Sequence, residues 1–509
     1  MKIKLLCFFS LIVLLGCSSK QETKTPNIVL IYADDLGYGD VTCYNKDSKI
    51  PTPNIDKLAD NGMLFTDAHS PSGICSPSRY SILTGQYSWR TSRKSGNPKP
   101  GEQSWVNKGR VTIASMLRDN GYNTAAIGKW GLGSDWESAA KPSREGLDIS
   151  ADAIDYSKAI FSGKPYGFTY EEVHLWYGKR YGTKHYACHD VPGTAEKADG
   201  ARWYFKNGMS QGGDPKFDDF DMEKAQMHYI ARAVEYIDAA GKKKENAEFK
   251  LKKEEPFFLY YAPHIPHYPH VPAKQFQGKS GVGLYGDFIT ELDWAVGEIV
   301  KTLEKNNILD ETMIIFTSDN GPESQVFGYI KEYDHHSTKD FRGIKRDLWQ
   351  GGHTLPFIVS YPDKIKKGKT SNRLVSQTDI LATLADYLNI ELDNNNAEDS
   401  YSFIDELIDG EQANTIEREM AIHHSASGKL AIRKGDWVFI NSKSGRDNAE
   451  PQWFKDSLGV VPHNEDFELF NLKIDPQQTK NLVKENPEKA EELKNILLKY
   501  VSEGRTVTR

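Results

Sequence analysis

Asn27-Ile28-Val29-Leu30-Ile31-Tyr32-Ala33-Asp34-Asp35 is a short apolar run that stops on two carboxylates. A continuous run of this length, too short for a helix and rich in β-branched residues, reads as a strand buried on both faces. Similar runs follow at Thr124–Ile127, Phe257–Tyr261, Met313–Thr317 and Phe357–Tyr361, and the run from Met313 closes on Ser318-Asp319-Asn320. Between them, Ile113–Asp119, Met222–Ala240, Asp287–Lys305 and Asp379–Leu388 place apolar residues at helical spacing. This strand and helix alternation predicts an α/β fold, a large mostly parallel sheet sandwiched by helices. Ligands of such sheets bind outside the carboxyl ends of the strands, so Asp34, Asp35, His264, Asp319 and Asn320 should meet at one rim.

The segment from Ser134 to Asp221 is rich in Gly, Tyr, Lys and Asp without clear periodicity and reads as loops and short elements over that rim. Lys242–Glu255 is a charge-dense surface connection. From about Ile416, strand-like Lys429–Asn441 and a helix near Pro487–Val501 predict a smaller α+β domain containing an antiparallel sheet. The expected division is a large domain over 26–415 and a C-terminal one over 416–509, with no internal repeat.

The 509 residues exceed what one hydrophobic core usually organises. Charged residues make up 27%, hydrophobic ones 38%, and the net charge is −7 without a dominating basic block, which argues against a nucleic-acid partner. At the N-terminus, Lys2 and Lys4 precede an apolar run from Leu5 to Leu15 that closes on Gly16-Cys17. The run is short for a mature membrane span and suits a lipoprotein signal over 1–16. Cys17 would carry the lipid anchor, residues 17–25 would form a polar tether, and the protein would be exported to the bacterial envelope, periplasm or cell surface. An ordinary secretory peptide is the alternative. Cys43, Cys75 and Cys188 remain, and Cys43 and Cys188 either pair or stay free.

The sharpest motif is Cys75-Ser76-Pro77-Ser78-Arg79, followed by Leu83-Thr84-Gly85. It resembles the signature of the type I, formylglycine-dependent sulfatases of the alkaline-phosphatase-like superfamily, and the likeness runs in order along nearly the whole mature chain. The resemblance implies that Cys75 is oxidised to formylglycine by a sulfatase-maturating enzyme. It implies a metal shell of Asp34, Asp35, Asp319 and Asn320 around residue 75. Three carboxylates and an amide suit hard Ca²⁺, with Mg²⁺ possible. Either acidic pair alone would pass for a turn. Lys129 in Gly128-Lys129-Trp130, His264 in Pro263-His264-Ile265-Pro266-His267, and Lys345 in Arg342-Gly343-Ile344-Lys345 match the sulfate-binding lysines and histidine, with Arg79 steadying the formylglycine and metal end. The implied mechanism is attack of the aldehyde hydrate on sulfur, leaving-group protonation by His264 or Lys345, and elimination of sulfate.

Two positions depart from the pattern. Gly131 stands where many members have a histidine thought to take a proton in the elimination; either another group, His267 or a histidine from elsewhere, substitutes, or the elimination is handled differently. Gln350 replaces a usual Glu before Gly351-Gly352, a position read as structural. The implied substrate is a sulfated carbohydrate such as a glycosaminoglycan, mucin or algal fragment, met by Trp136, Trp176, Tyr177, His185, His189, Asp334, His335 and His336. Competing readings are a formylglycine-dependent phosphonate or phosphodiester hydrolase, and a catalytically silent protein that binds sulfated glycans.

Overall fold

The computed structural model describes residues 25–98, 104–132, 222–408 and 416–508, except single positions 108, 248, 363 and 366, together with short strands between 170 and 210. In chain order the first strands are β1 (Asn27–Ala33), β2 (Met63–Phe65), β3 (Ala68–His69), β4 (Asn123–Lys129), β5 (Tyr170–His174), β6 (Gly178–Tyr181), β7 (His185–Cys188), β8 (Tyr204–Lys206) and β9 (Met209–Ser210). Then come β10 (Phe257–Ala262), β11 (Thr312–Ser318), β12 (Phe357–Ser360), β13 (Lys369–Ser371), β14 (Val375–Ser376), β15 (Met420–His424), β16 (Leu430–Lys434), β17 (Trp437–Ile440) and β18 (Glu468–Asn471).

Ten strands form one sheet in the order β13-β2-β12-β11-β1-β10-β4-β5-β8-β9. Its centre is parallel: β1 lies between β10 and β11, β10 pairs onward to β4, and β4 to β5. Side chains alternate across β1, so Ile28, Leu30 and Tyr32 enter one core while Val29, Ile31 and Ala33 enter the other. The second core is covered by α1 (Pro53–Asp60), α4 (Met222–Gly241), α5 (Gly283–Lys305), α6 (Val326–Tyr333) and α9 (Gln452–Leu458). The first is covered by α2 (Cys75–Thr84), α3 (Ile113–Asp119), α7 (Asp379–Tyr387) and α8 (Ile404–Leu407). Burial on both faces is why β1 and its neighbours lack a polar alternation.

The C-terminal strands β15–β18 form an antiparallel sheet whose core is closed by α10 (Pro487–Glu503). Arg418 ties it to the large domain: its guanidinium is bidentate on Asp379 at the start of α7 and also donates to the backbone oxygens of Asp399 and Met420.

The architecture is the one expected, with three local corrections. The run at Phe357 is β12, which pairs antiparallel to β11 and so does not continue the βαβ series. Lys429–Asn441 is two antiparallel strands, β16 and β17, turning at Gly435 with φ +57°. Within the stretch read as loops and short elements over the rim, the short strands join the main sheet: β5 extends the parallel centre, and β8 and β9 add its antiparallel edge. Cys43 is a free, partly buried thiol. The signal segment with Cys17, and Trp136, Trp176, Tyr177 and His189, lie outside the described residues.

Candidate active site

Backbone register brings the acids together. Ala33 and Ser318 are direct partners in the β1 and β11 ladder, so the residues that follow leave the sheet side by side. Asp319 N–H donates to Ala33 O, Asp35 N–H reaches Asp319 Oδ1 at 3.1 Å, and Asn320 Nδ2 donates to Asp35 Oδ1 at 2.7 Å. Asp35 takes φ +68°, a left-handed turn that aspartate tolerates better than most residues. The buried Asn320 Oδ1 has no hydrogen-bond donor among the described residues.

Neighbouring strand ends and α2 add the cations. Lys129 ends β4 and sets Nζ 2.7 and 2.8 Å from the two oxygens of Asp34. His264, two residues beyond β10, places Nδ1 2.5 Å from Asp34 Oδ2. Lys345 reaches Asp35 Oδ2 at 2.6 Å. Arg79, one turn into α2, contacts Asp319 at 2.7 Å and Asp34 at 3.4 Å while lying over the Tyr32 ring. Cys75 is the first residue of that helix, 5% exposed, and it shares with Asp34 and Asp319 a cluster whose ligating atoms all lie within 4.8 Å of one another. Its approach segment is held by Arg346 N–H on Gly73 O and by Ser78 Oγ on the oxygens of Ser72 and Ile74.

Burial makes each charge depend on its neighbours. It works against ionisation of Asp34, but Lys129, His267 and His264 outweigh it and hold the carboxyl well below the usual range. Asp319 is pushed up by burial and by the charge of Asp34. Burial also opposes the charge on Lys345, yet Asp35 raises it above the ordinary lysine range. The Cys75 thiol is pushed up by burial against the pull of Lys129 and Lys345, so it stays protonated and is a poor nucleophile as it stands.

Every catalytic, metal-ligating and sulfate-binding residue expected from the sequence among the described residues is at this rim. His267 belongs to it too: its ring stacks on His264 with centroids 4.5 Å apart, and Nε2 lies 3.7 Å from Asp35. A side chain at Gly131 would point toward Arg79 and Ser76, beside Cys75. Gln350 is buried and structural, its N–H on Gln478 Oε1 and its own Oε1 accepting from Thr354. Of the loop candidates, His335 is fully buried on Asp40 at 2.8 Å and cannot meet a sugar, while His336 and Asp334 are exposed and His185 falls in β7. The sequence did not single out Asn97, exposed beside Cys75 and bonded to Ser76 N–H, because its Gly- and Lys-rich surroundings carry no pattern.

The family model for Sulfatase matches residues 26–390. The chain is a sulfatase. It is 32% identical over 534 residues to an N-acetylgalactosamine-6-O-sulfatase of Bacteroides thetaiotaomicron, covering 95% of this sulfatase and 96% of that one. Human arylsulfatase A is 32% identical over 71% of this chain and 64% of its own. A solved 6S-sulf protein, from work on the metabolism of multiple glycosaminoglycans by Bacteroides thetaiotaomicron, superposes with TM-score 0.74 at 28% identity over 94% of this sulfatase and 100% of that chain. The phosphonate-hydrolase and silent-binder readings therefore give way to sulfate-ester hydrolysis.

Proposed function

We propose that this sulfatase removes sulfate from a glycan, first of all the 6-O-sulfate of an N-acetylgalactosamine-type amino sugar, with formylglycine formed at Cys75 and Ca²⁺ held by Asp34, Asp35, Asp319 and Asn320. The supporting observation is the convergence of three carboxylates and three permanent cations on one buried cysteine that is itself unreactive. The donor set fits the metal, since all four side chains offer oxygen and the orphaned Asn320 Oδ1 is a buried lone pair in need of a positive partner. Formylglycine at position 75 would supply a hydrate oxygen as nucleophile, and a Ca²⁺ bound by these four side chains would supply the charge that acidifies it and stabilises the sulfate oxygens.

The chain's own groups complete the reaction. Lys129 and Lys345 present ammonium groups to sulfate oxygens, which gain charge as the S–O bond breaks. Arg79 anchors the carboxylates beneath residue 75, so that they keep their geometry when the substrate arrives. His264, fixed in orientation by Asp34, donates a proton to the departing sugar oxygen. With glycine at 131, His267, stacked on His264 and 3.7 Å from Asp35, is assigned to accept the proton in the elimination. Export and lipidation at Cys17 would put the enzyme where glycan fragments are met, and a maturase must act on Cys75.

The test is peptide mass spectrometry at Cys75 in protein coexpressed with a maturase, with sulfate release assayed on the same sample from N-acetylgalactosamine 6-sulfate, its 4-sulfate and other sulfated sugars. Formylglycine with release from the 6-sulfate, both lost in Cys75→Ala, is expected. Full conversion with release only from other positions overturns the substrate class, and release with an intact cysteine overturns the nucleophile.

A further inference from the structure

A second group of side chains able to ligate a metal shares no residue with the catalytic cluster. His69 ends β3, six residues before Cys75; His353 follows the Gln350–Gly352 turn; His423 belongs to β15 of the C-terminal sheet. Each is about 1% exposed, and one nitrogen from each lies within 4.8 Å of the others. Three segments far apart in sequence thus meet in one buried cluster of imidazoles, for which sulfate hydrolysis has no use.

Their hydrogen bonds favour one set of tautomers. His69 Nε2 is 2.7 Å from the Asp67 carboxylate, His353 Nε2 is 3.1 Å from Leu348 O, and His423 Nδ1 is 3.0 Å from Ser70 O. Each acceptor requires the proton on that nitrogen, which leaves a lone pair on His69 Nδ1, His353 Nδ1 and His423 Nε2. The first two face each other at 3.1 Å. Thr354 Oγ1 is 3.4 Å from His69 Nδ1, but its hydrogen goes to Gln350 Oε1 at 2.9 Å. His423 Nε2, fully buried, has no partner among the described residues. Burial holds all three rings below the ordinary histidine range, with mutual repulsion adding to it for His353 and His423, so the lone pairs are present at neutral pH.

We propose that His69, His353 and His423 bind a transition metal ion of the Zn²⁺ class, tying the segment that carries Cys75 to the C-terminal sheet. Imidazole nitrogens select such ions over the Ca²⁺ suited to the oxygen-lined active site. The other nitrogen of each ring donates to a carboxylate or a backbone carbonyl, the usual outer partners of metal-bound histidine, and Arg433 grips Asp67 from behind. The His353 and His423 rings lie nearly parallel, 3.8 Å apart at 13°, so they tilt out of their stack when the ion enters. The competing arrangement lets Arg433 Nη1, 2.9 Å from His69 Nε2, donate to that nitrogen; His69 Nδ1–H then bonds His353 and no ion is held.

The experiment uses the full chain without a histidine tag, exposed to Zn²⁺, freed of loosely bound metal on a chelating resin and analysed by plasma mass spectrometry. Zinc retained at about one ion per chain is expected, kept in Asp319→Asn, which alters only the oxygen site, and lost in His353→Gln and His423→Gln. Folding of each variant is checked by near-ultraviolet circular dichroism. Because a histidine variant could fail to fold, X-ray absorption of the wild type is read as well, where imidazole nitrogens at about 2.0 Å are expected. Folded wild type that retains no zinc, zinc in an oxygen-only shell, or zinc lost in Asp319→Asn overturns the proposal.

Discussion

Restoring a histidine at Gly131 should harm this sulfatase. Gly131 sits at φ +73°, where an L-residue pays about 1–2 kcal/mol for its Cβ. That Cβ would lie 3.3 Å from Arg79 Cδ and 3.7 Å from Ser76 Oγ, so Arg79 must give by a few tenths of an ångström. Arg79 has little room to give, being fully buried and in contact with Asp319 at 2.7 Å. Gly131→Ala should therefore lower unfolding stability by about 1–2 kcal/mol, read from the urea midpoint at constant slope. A shift of a fraction of an ångström at Arg79 should cut kcat about tenfold, given that about 1 Å of misplacement costs about a hundredfold. Gly131→His should be no better, because its ring enters the same space beside Arg79. Sulfate release from maturase-treated protein measures both variants. If Gly131→His matches wild-type stability and turns over faster, the backbone argument fails and the missing imidazole is a defect rather than an accommodated change.

Four further outcomes are expected. Lys129→Ala and Lys345→Ala should each lower kcat/KM by about 10²–10³-fold, since each removes a buried cation assigned to the sulfate; a loss under fivefold would remove that residue from the site. Chelation should abolish turnover and Ca²⁺ restore it, with the calcium-dependent rise in melting temperature missing from Asp319→Asn; a thermal shift equal to wild type in that variant would refute the ligand set. Burial lowers His424 to about 4 in the folded state, against about 6.5 unfolded, so its contribution is intact above pH 6.5 and is lost as pH falls through 4. At about 1.4 kcal/mol per pH unit that removes about 3 kcal/mol, and His424→Gln should flatten the acid limb of the unfolding profile. Arg418→Ala strands Asp379 without its buried partner and should cost about 3–5 kcal/mol in equilibrium unfolding.

The sequence was most legible where one residue type does one job. Central strands buried on both faces leave continuous apolar runs, so β1, β10 and β11 can be read from the sequence, and the carboxyl-end rule alone places Asp34, His264 and Asp319 together. The edges were less legible. The β5 strand, Tyr-Glu-Glu-Val-His, has neither alternation nor an apolar run, and pairing with β4 decides its conformation rather than local preference. The His69, His353 and His423 cluster left no spacing to notice, because the bridge between His69 and Thr354 joins the first two and only the C-terminal sheet brings in His423. His335, next to an exposed histidine, looked like a loop residue because only the fold brings Asp40 to it.

The same convergence explains why the expected calcium dependence should extend to substrate binding. Asp34, Asp35 and Asp319 are matched by Lys129, Lys345 and Arg79, and each cation now rests on a carboxylate. In that arrangement the site is close to electrically neutral and has little to offer an anion. A divalent ion held by the carboxylates would take over their charge, and the lysines would then be available to a sulfate ester. Burial strengthens this exchange, because at low dielectric an uncompensated charge is costly and each new one draws in its partner. The metal is thus expected to build the anion site as well as to assist the nucleophile, which ties recognition and chemistry to one set of residues.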